Sequence, residues 1–389
     1  MVGGSKNFLK IALIVVAALL ALAPLPRQTV EHVYSRGVYP VLQPRLTALS
    51  NTTPIAWFDV LVVLTIAATM AMWITRLSLP RRPPPPKATA SLAEASREGG
   101  SGGAAKAGKQ TLIPTVAALT LDTLAIAAVL YLWFLCAWGL NYQRQPLRES
   151  LDFREERITR DALRAFAGRT VAALNALHRD AHAAGWAELE ATPAVLEPAF
   201  VQAQRDLALA WTARAGRPKH TLFNFYFTRV SVDGMTGPFF LETLANGTLL
   251  PFERAATVAH EWSHLAGYAD ESEANFVGWL VCMRGPAPAQ YSGWLSLYAT
   301  VVGALPRADR DDVMAQLDAG PRADLRAISE RIRRHAVPAA SRVGYAVYDR
   351  FLKANRVEAG VRSYGEVLRL LLGTRFTEDG TPVLRSPAE

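Results

Sequence analysis

Two histidines separated by three residues, in the string HEWSH at positions 260–264, are the feature of the sequence that most directly indicates chemistry. Residues at positions i and i+4 lie on one face of a helix, so His260 and His264 can both reach one metal ion. A zinc ion with three protein ligands keeps a fourth position open and lowers the pKa of a bound water to about 7. Glu261 lies beside that water and can take its proton as a general base, then donate it to a leaving amine. The spacing therefore predicts hydrolysis of a peptide bond.

The third zinc ligand is expected among three acidic residues that follow the motif. Gly267 is placed to end the motif helix in a left-handed conformation, before a second helix begins. The string ESEAN resembles the ligand-bearing helix of glutamate zincins, which ranks its first residue, Glu271, first and Glu273 second. Asp270, ranked third, completes a string that resembles the metzincin arrangement, and its alternative role is to cap the second helix. Glu273 and Asn275 are also candidates for orienting the imidazoles.

Other candidate groups carry weaker patterns. His178 and His182 share the spacing of four but lack the glutamate of the motif, so an exposed helix face is expected there. Four residues are candidates for stabilising an oxyanion if the fold brings them to the metal. They are His220, Tyr226, Tyr348 and Tyr364.

Two strands are expected upstream of the motif. The segment 222–232 is aromatic and β-branched, and a second strand is interrupted at Gly237 and ends near Asn246. In zincins an edge strand at this place holds an extended peptide, which makes Glu242 or Asn246 a candidate for substrate contact. The alternative is a hairpin with ordinary exposed polar groups.

Most of the chain after residue 140 has a helical pattern. Apolar residues recur at intervals of three and four from residue 152 onwards, and helices are expected at 252–267, at 271–283 and in several segments up to about 373. The predicted class is α+β with helices dominant. Residues 141–389 form a zincin-like soluble domain with a short β-hairpin or small sheet.

The first 140 residues contain three apolar runs, at about 8–26, 54–79 and 112–140. Each is long enough to cross a bilayer core as a helix, which needs about 20 apolar residues. Tryptophans lie near the ends of the second and third runs, as in the aromatic belts of membrane proteins. Three transmembrane helices are therefore predicted, and the alternative for the first run is a cleaved signal peptide.

Charge and cysteine content limit which compartment and which partners the chain can have. The chain has 389 residues, a net charge of +8 and only 2 cysteines, which excludes a disulfide scaffold. Six Lys and Arg residues lie in the Pro-rich and Gly-rich segment 80–110, which is predicted to be a cytoplasmic linker that touches anionic lipid rather than nucleic acid. Three spans then place residues 141–389 outside a bacterial inner membrane, on the periplasmic or extracellular side.

The string HEWSHLAGYADESEANFVGW resembles HE-x-x-H-x-x-G-x-x-x-E-x-E-A-N-F of a family of bacterial membrane proteins called domain of unknown function 3810. The strings WGLNYQR (138–144), YDRFLKAN (348–355) and GVRSYG (360–365) look like further family blocks, so the resemblance covers about residues 110–375. It implies a metallopeptidase signature carried by His260, Glu261, His264, Glu271 and Glu273. The chain departs from the family pattern at two residues. Trp262 is bulkier than the residue expected there and could narrow the site, and Leu241 stands where proline is expected.

The sequence thus predicts a membrane-anchored zinc metallopeptidase that acts on a peptide or protein. The alternative is a non-catalytic protein that keeps the zincin fold as a sensor or an assembly and binding module. An intramembrane protease is disfavoured, because charged residues flank the motif and no run of about 20 apolar residues contains it.

Overall fold

The computed structural model of the protein describes residues 2–23, 25–78, 103–355, 357 and 366–386, with backbone alone for residues 2–4 and 103–114. Most of the predicted 80–110 linker, the candidate Tyr364 and the string at 360–365 lie outside the described residues.

Helices dominate the described chain, and a π-helical segment, Val30–Val38, joins the second to the third. The helices are α1 (Val2–Leu22), α2 (Arg27–Thr29), α3 (Tyr39–Asn51), α4 (Trp57–Ser78), α5 (Gly103–Ala137), α6 (Arg160–Ala184), α7 (Thr192–Asp206), α8 (Asn224–Val230), α9 (Pro251–Leu265), α10 (Glu271–Met283), α11 (Ala287–Ala304), α12 (Arg307–Ala315), α13 (Ala319–His335), α14 (Pro338–Ala354) and α15 (Val367–Gly373).

Three of these helices, α1, α4 and α5, are long and apolar enough to cross a membrane. Their apolar windows are Ser5–Leu22, Trp57–Ser78 and Thr115–Ala137, and few of the window side chains are buried within the protein. The prediction of three apolar helices in this part of the chain is confirmed. Asp122 of α5 is buried among them and pairs with Lys10 and with Arg76, whose Nη2 lies 2.7 Å from Oδ2 of Asp122. Such pairing is how a carboxylate is tolerated among lipid-facing helices.

Packing divides the chain into two units. The first comprises Met1–Pro24 and Val60–Trp133, and the second comprises Leu25–Asp59 and Phe134–Glu389. The predicted boundary at residue 140 groups 25–59 with the membrane region, whereas this segment packs with the second unit. The contacts that attach it are hydrogen bonds to that unit's backbone: Tyr39 Oη donates to the Leu265 carbonyl at 2.9 Å, and Thr47 Oγ1 to the Leu241 carbonyl at 2.8 Å.

The second unit contains a small sheet of β1 (Pro218–Lys219), β2 (Gly234–Gly237) and β3 (Glu242–Ala245), in the order β1-β3-β2. β3 pairs in parallel with β1 and antiparallel with β2, where Gly234 faces Ala245 and Gly237 faces Glu242. A helix-dominated chain with a small sheet is therefore confirmed. The predicted edge strand at 237–246 is wrong, because its latter half is the central strand and β2 occupies the edge.

The predicted strand at 222–232 is also wrong, because residues 224–230 form α8. Phe227 and Val230, three positions apart, are buried on one face of this short helix, whereas Phe225 is exposed. Aromatic and β-branched residues favour strands only weakly, and burial of one helical face outweighs that preference here.

The motif helix lies in the middle of the second unit. α9 packs against α7, α10 and α11, and against the sheet strands β2 and β3. Trp262 is fully buried on its inner face, where its ring contacts Phe200 at a centroid distance of 5.2 Å and its Nε1 donates to the Gly216 carbonyl at 2.8 Å. The expectation that Trp262 narrows the site is therefore wrong, because this side chain is part of the core.

Candidate metal centre

Local sequence determines where the motif helix begins. Pro251 occupies its first turn, where the missing N–H of proline removes no helical hydrogen bond. Glu253 accepts the N–H of Leu250 at 2.9 Å and also pairs with Arg331, whose Nη2 lies 2.7 Å from its other carboxylate oxygen. These contacts fix the start of α9 two turns before His260.

A tight turn joins the motif helix to the next. Gly267 has a φ of +91°, a conformation that favours glycine, and a Cβ there would overlap the Arg144 guanidinium. The turn brings the Tyr268 carbonyl to 2.7 Å from Nδ1 of His264. An N–H at Nδ1 then leaves the Nε2 lone pair of His264 free for another partner.

The three acidic residues that follow this turn have three different roles. Asp270 caps α10, because its Oδ1 accepts the N–H of Ser272 at 2.8 Å and that of Glu273 at 3.4 Å. Glu273 turns away from the motif and accepts the N–H of Leu147 at 2.6 Å. Glu271 is the one of the three whose carboxylate meets both motif histidines.

The three predicted ligands converge on one point. Oε2 of Glu271 lies 3.2 Å from Nε2 of His260 and 3.7 Å from Nε2 of His264. Two ligand atoms at zinc-ligand distance in a tetrahedral arrangement lie about 3.3 Å apart, so the spacing suits a shared ion. The side chains are 18%, 8% and 2% exposed for His260, His264 and Glu271, which leaves His260 on the more open side.

An unsatisfied acceptor at this cluster fits a cation. Oε2 of Glu271 is buried without a hydrogen-bond partner among the described residues. The other oxygen of Glu271 accepts a hydrogen bond from the Tyr348 hydroxyl of α14. A buried acceptor without a partner costs roughly 1–3 kcal/mol, and a divalent ion between the three side chains would satisfy it. The donor set of two imidazoles and one carboxylate is one that zinc accepts.

The charges of the cluster are strongly coupled. Burial alone would raise the pKa of Glu271, but the imidazoles of His264 and His260 outweigh it and hold that pKa well below its usual range. Burial likewise opposes a charge on His264, but Glu271 outweighs it and raises the pKa of His264 to about 9. Without an ion, the negative charge of Glu271 and the positive charge of His264 therefore stabilise each other.

Glu261 lies beside the cluster, in contact with strand β2. Its Oε2 is 2.9 Å from Oγ1 of Thr236, and that hydroxyl is also 2.9 Å from the Glu261 carbonyl. A Cβ on Gly234 would lie 2.7 Å from Oε1, so the strand approaches the carboxylate closely. Burial raises the pKa of Glu261, although His260 and His264 act in the opposite direction. A raised pKa suits a group that takes up and returns a proton.

Aromatic side chains surround the outer part of the cluster. Trp138 contacts the His264 ring edge-on at a centroid distance of 5.9 Å, and its Nε1 donates to the His264 carbonyl at 3.1 Å. Tyr142 packs against Trp138, and the ring of Phe351 packs against both Tyr142 and Tyr348. These rings exclude water from one side of the ligands, which strengthens electrostatic interactions there.

A family model described as "Protein of unknown function (DUF3810)" matches residues 34–372, which is most of the chain. The chain belongs to this family. No curated protein and no solved structure matches it.

Of the remaining predicted groups in this DUF3810 chain, one reaches the cluster and the others lie elsewhere. Of the oxyanion candidates, Tyr348 reaches the cluster, whereas Tyr226 is exposed and Nε2 of His220 lies 3.9 Å from Glu190. Glu242 is fully buried and Asn246 is 1% exposed, so the prediction that they contact substrate is wrong.

Sequence reasoning missed three residues of the site. Thr236 and Gly234 meet Glu261 only because β2 crosses the motif helix. Gly278 sits two turns after Glu271 on α10, where a Cβ would lie 3.0 Å from both N and Cα of His260. A glycine at i+7 from the predicted ligand is the one available signal, since it marks the same helix face.

Proposed function

We propose that the protein is a membrane-anchored zinc metallopeptidase. The proposal is carried by one observation: His260, His264 and Glu271, which lie on two successive helices, present three ligand atoms to one point. The three apolar helices support the membrane anchor, and membership of the DUF3810 family is compatible with it.

His260, His264 and Glu271 would hold the zinc. When bound, zinc supplies a Lewis acid that polarises a carbonyl and acidifies water. His264 is kept in the correct tautomer by the Tyr268 carbonyl, and Tyr348 fixes the free oxygen of Glu271. Such supporting contacts hold the ligands in place and tune their basicity.

Glu261 would hold and transfer the proton. Its carboxylate is nearly buried, and Thr236 fixes the position of Oε2. Burial raises the pKa of Glu261 and so favours proton uptake at Oε2, which removes a buried negative charge. The same oxygen can return the proton to the amine of a cleaved peptide.

The substrate we propose is an extended peptide or protein segment bound along β2. Among the described residues β2 pairs with β3 along one edge, and its other edge has no strand partner. An extended chain can add to such an edge through backbone hydrogen bonds. Because Gly234 and Thr236 of β2 contact Glu261, a peptide placed there would pass beside the general base.

We place the second unit on the outer face of a bacterial inner membrane. The excess of Lys and Arg between the second and third apolar helices favours a cytoplasmic position for that segment. Three spans then put the chain after α5 on the opposite side, where a protein or peptide near the membrane surface is the accessible substrate.

A non-catalytic sensor or assembly module is the second candidate, and the cover over the ligands favours it. Glu271 is 2% exposed, and Tyr348 occupies one of its oxygens. A hydroxamate chelator separates the two candidates. Binding to the zinc-loaded protein with a change in zinc-edge X-ray absorption supports the peptidase, and no binding supports the closed module.

The experiment that tests the peptidase uses the full chain in detergent or nanodiscs, loaded with zinc and incubated with a library of peptides. Cleavage that Glu261→Gln reduces at least about 100-fold, with zinc content unchanged, supports the assignment. Glu330→Gln, on the exposed surface of α13, is the matched control. Equal cleavage by wild type and Glu261→Gln would show that Glu261 is not the base.

A further inference from the structure

A second cluster of metal-ligating side chains lies where α6, α11 and α13 meet. His178 and His182 project from α6, and Asp324 from α13. Oδ2 of Asp324 lies 2.9 Å from Nε2 of His182 and 3.6 Å from Nε2 of His178. The sequence predicts an ordinary exposed helix face for the two histidines; both are partly exposed, and the structure adds a buried carboxylate that contacts both.

The cluster is enclosed on its inner side. Asp324 is 8% exposed, and the fully buried Tyr291 of α11 donates its hydroxyl to Oδ2 of Asp324 at 2.6 Å. Gly320, one turn before Asp324 on α13, lies against the His178 ring, where any Cβ would overlap the imidazole. The close approach of α13 to α6 therefore depends on a residue without a side chain.

The two imidazoles are arranged as a pair. Their ring centroids are 4.3 Å apart with an interplanar angle of 35°, and both Nε2 atoms face the same carboxylate oxygen. A hydrogen bond to Asp324 would account for the position of one imidazole, and the convergence of both on one oxygen needs a further reason. A shared ion supplies it, because His at i and i+4 with a carboxylate from another helix is a common set of metal ligands.

We propose that His178, His182 and Asp324 bind a divalent first-row transition metal, with Zn²⁺ as the expected ion. Two imidazoles and one carboxylate suit zinc, and Cu²⁺ or Ni²⁺ would compete by affinity alone. The side chains of His178 and His182 are 26% and 38% exposed, so an ion can enter from solvent. Tyr291 orients the carboxylate from inside.

This site differs from the candidate catalytic centre and does not depend on the proposed peptidase activity. Arg179 follows the first histidine where the HExxH motif has its glutamate, so no carboxylate is positioned as a base. Phe252, at the start of α9, lies 6.3 Å from the His182 ring, whereas His260 is eight residues further along that helix, or about 12 Å. Paired catalytic metals lie about 3.5–4 Å apart, so the two sites are separate.

The role of the site is structural. An ion held by His182 and Asp324 would connect residues 142 positions apart in the chain and join α6 to α13. α6 packs against α11, which packs against the motif helix α9, and Arg331 of α13 pairs with Glu253 of α9. Binding free energy of an ion that the unfolded chain does not hold adds directly to stability.

The test counts zinc in the full chain purified in detergent, dialysed against buffer with trace zinc and measured by mass spectrometry. Four proteins are compared: wild type, His178→Ala/His182→Ala, His260→Ala/His264→Ala, and the exposed control His220→Ala. The expected counts are about two, one, one and two ions per chain. A zinc content of His178→Ala/His182→Ala equal to that of wild type overturns the proposal.

A conservative variant keeps the test decisive if the double variant misfolds. Asp324→Asn keeps the shape and can still accept the Tyr291 hydroxyl, but it loses the charge that a cation needs. We expect it to lose one zinc ion and the absorption bands of one Co²⁺ ion, and to unfold at the wild-type temperature once a chelator is present. Equal metal content in Asp324→Asn and wild type overturns the proposal.

Failure of the proposed peptidase gives a different result. A wild type that holds a single zinc ion, kept in His260→Ala/His264→Ala and lost in Asp324→Asn, supports the second site while contradicting the first. A wild type that holds a single zinc ion, lost in His260→Ala/His264→Ala and kept in Asp324→Asn, overturns the second site while leaving the first intact.

Discussion

At the scale of single residues, the account depends on which group carries which charge. Glu271 and His264 form a coupled pair in which the carboxylate is ionised and the imidazole protonated, because each stabilises the charge of the other in a buried place. Zinc needs the neutral imidazole, so metal and proton compete for His264.

This competition predicts a pH dependence of zinc binding. Because the pKa of His264 is about 9 without metal, the imidazole is protonated at pH 7 and zinc must displace about one proton. Affinity is therefore expected to rise as pH increases from 7 to 9, by up to about tenfold per unit, and to level off above. Calorimetry of His178→Ala/His182→Ala in two buffers of different ionisation enthalpy measures the proton release, and an affinity that is flat across this range contradicts the charge assignment.

Thr236 gives a second prediction, since its hydroxyl is the contact that positions Oε2 of Glu261. Thr236→Val keeps the shape and removes the donor. We expect kcat for peptide cleavage to fall about 10-fold to 100-fold with KM and zinc content unchanged, as is usual for supporting partners of a catalytic group. Thr236→Ser, which restores a hydroxyl, should recover most of the rate. Equal kcat values for Thr236→Val and wild type would remove Thr236 from the mechanism.

At the scale of elements, helix boundaries follow from local chemistry. The predicted helices at 252–267 and 271–283 agree with α9 and α10, because a proline, a glycine of positive φ and an aspartate cap mark their ends. The helix α8, where the sequence predicted a strand at 222–232, and the order of the sheet could not be predicted, since both depend on packing against distant segments. Asp324 lies 142 residues from His182, so the contact between them could not be predicted from the sequence either.

The distance between α9 and α10 determines whether Glu271 reaches the histidines. Gly278 allows the close approach at His260, and an added methyl group would lie 3.0 Å from backbone atoms that cannot move aside. We expect Gly278→Ala to lower zinc affinity at the first site at least about tenfold, a fall measured by competition with a fluorescent chelator. Gly168→Ala on α6, where a Cβ meets nothing within 4 Å, is the matched control. Equal affinity in the two variants would show that helix spacing does not control the site.

At the scale of the whole molecule, a buried ion pair attaches the start of the apolar helix α4 to the sheet. Nζ of Lys219 lies 3.0 Å from Oε2 of Glu242, and both side chains are fully buried. Glu242 also accepts the N–H groups of Trp57 at 3.0 Å and Phe58 at 2.6 Å. The pair therefore joins β1, β3 and the first turn of α4, and no local pattern in the sequence reveals it.

Breaking this pair should lower stability of the second unit. Lys219→Met leaves a buried carboxylate without its countercharge, which costs about 3–5 kcal/mol in comparable sites. We expect a lower unfolding temperature in detergent, and partial recovery in Lys219→Met/Glu242→Gln, where no charge remains. The control is Lys353→Met on the exposed surface of α14. An unchanged unfolding temperature for Lys219→Met would contradict the role of the pair.

The central claim is tested most directly by comparing the zinc affinities of Glu271→Gln and Glu273→Gln. Both substitutions are made in the His178→Ala/His182→Ala background. The two residues lie on the same turn of α10, and Glu271 is buried while Glu273 is partly buried, but only Glu271 faces the histidines. The account predicts that Glu273→Gln binds one zinc ion with the affinity of the background and that Glu271→Gln binds at least about tenfold more weakly. Equal affinities, or a larger loss in Glu273→Gln, would contradict it.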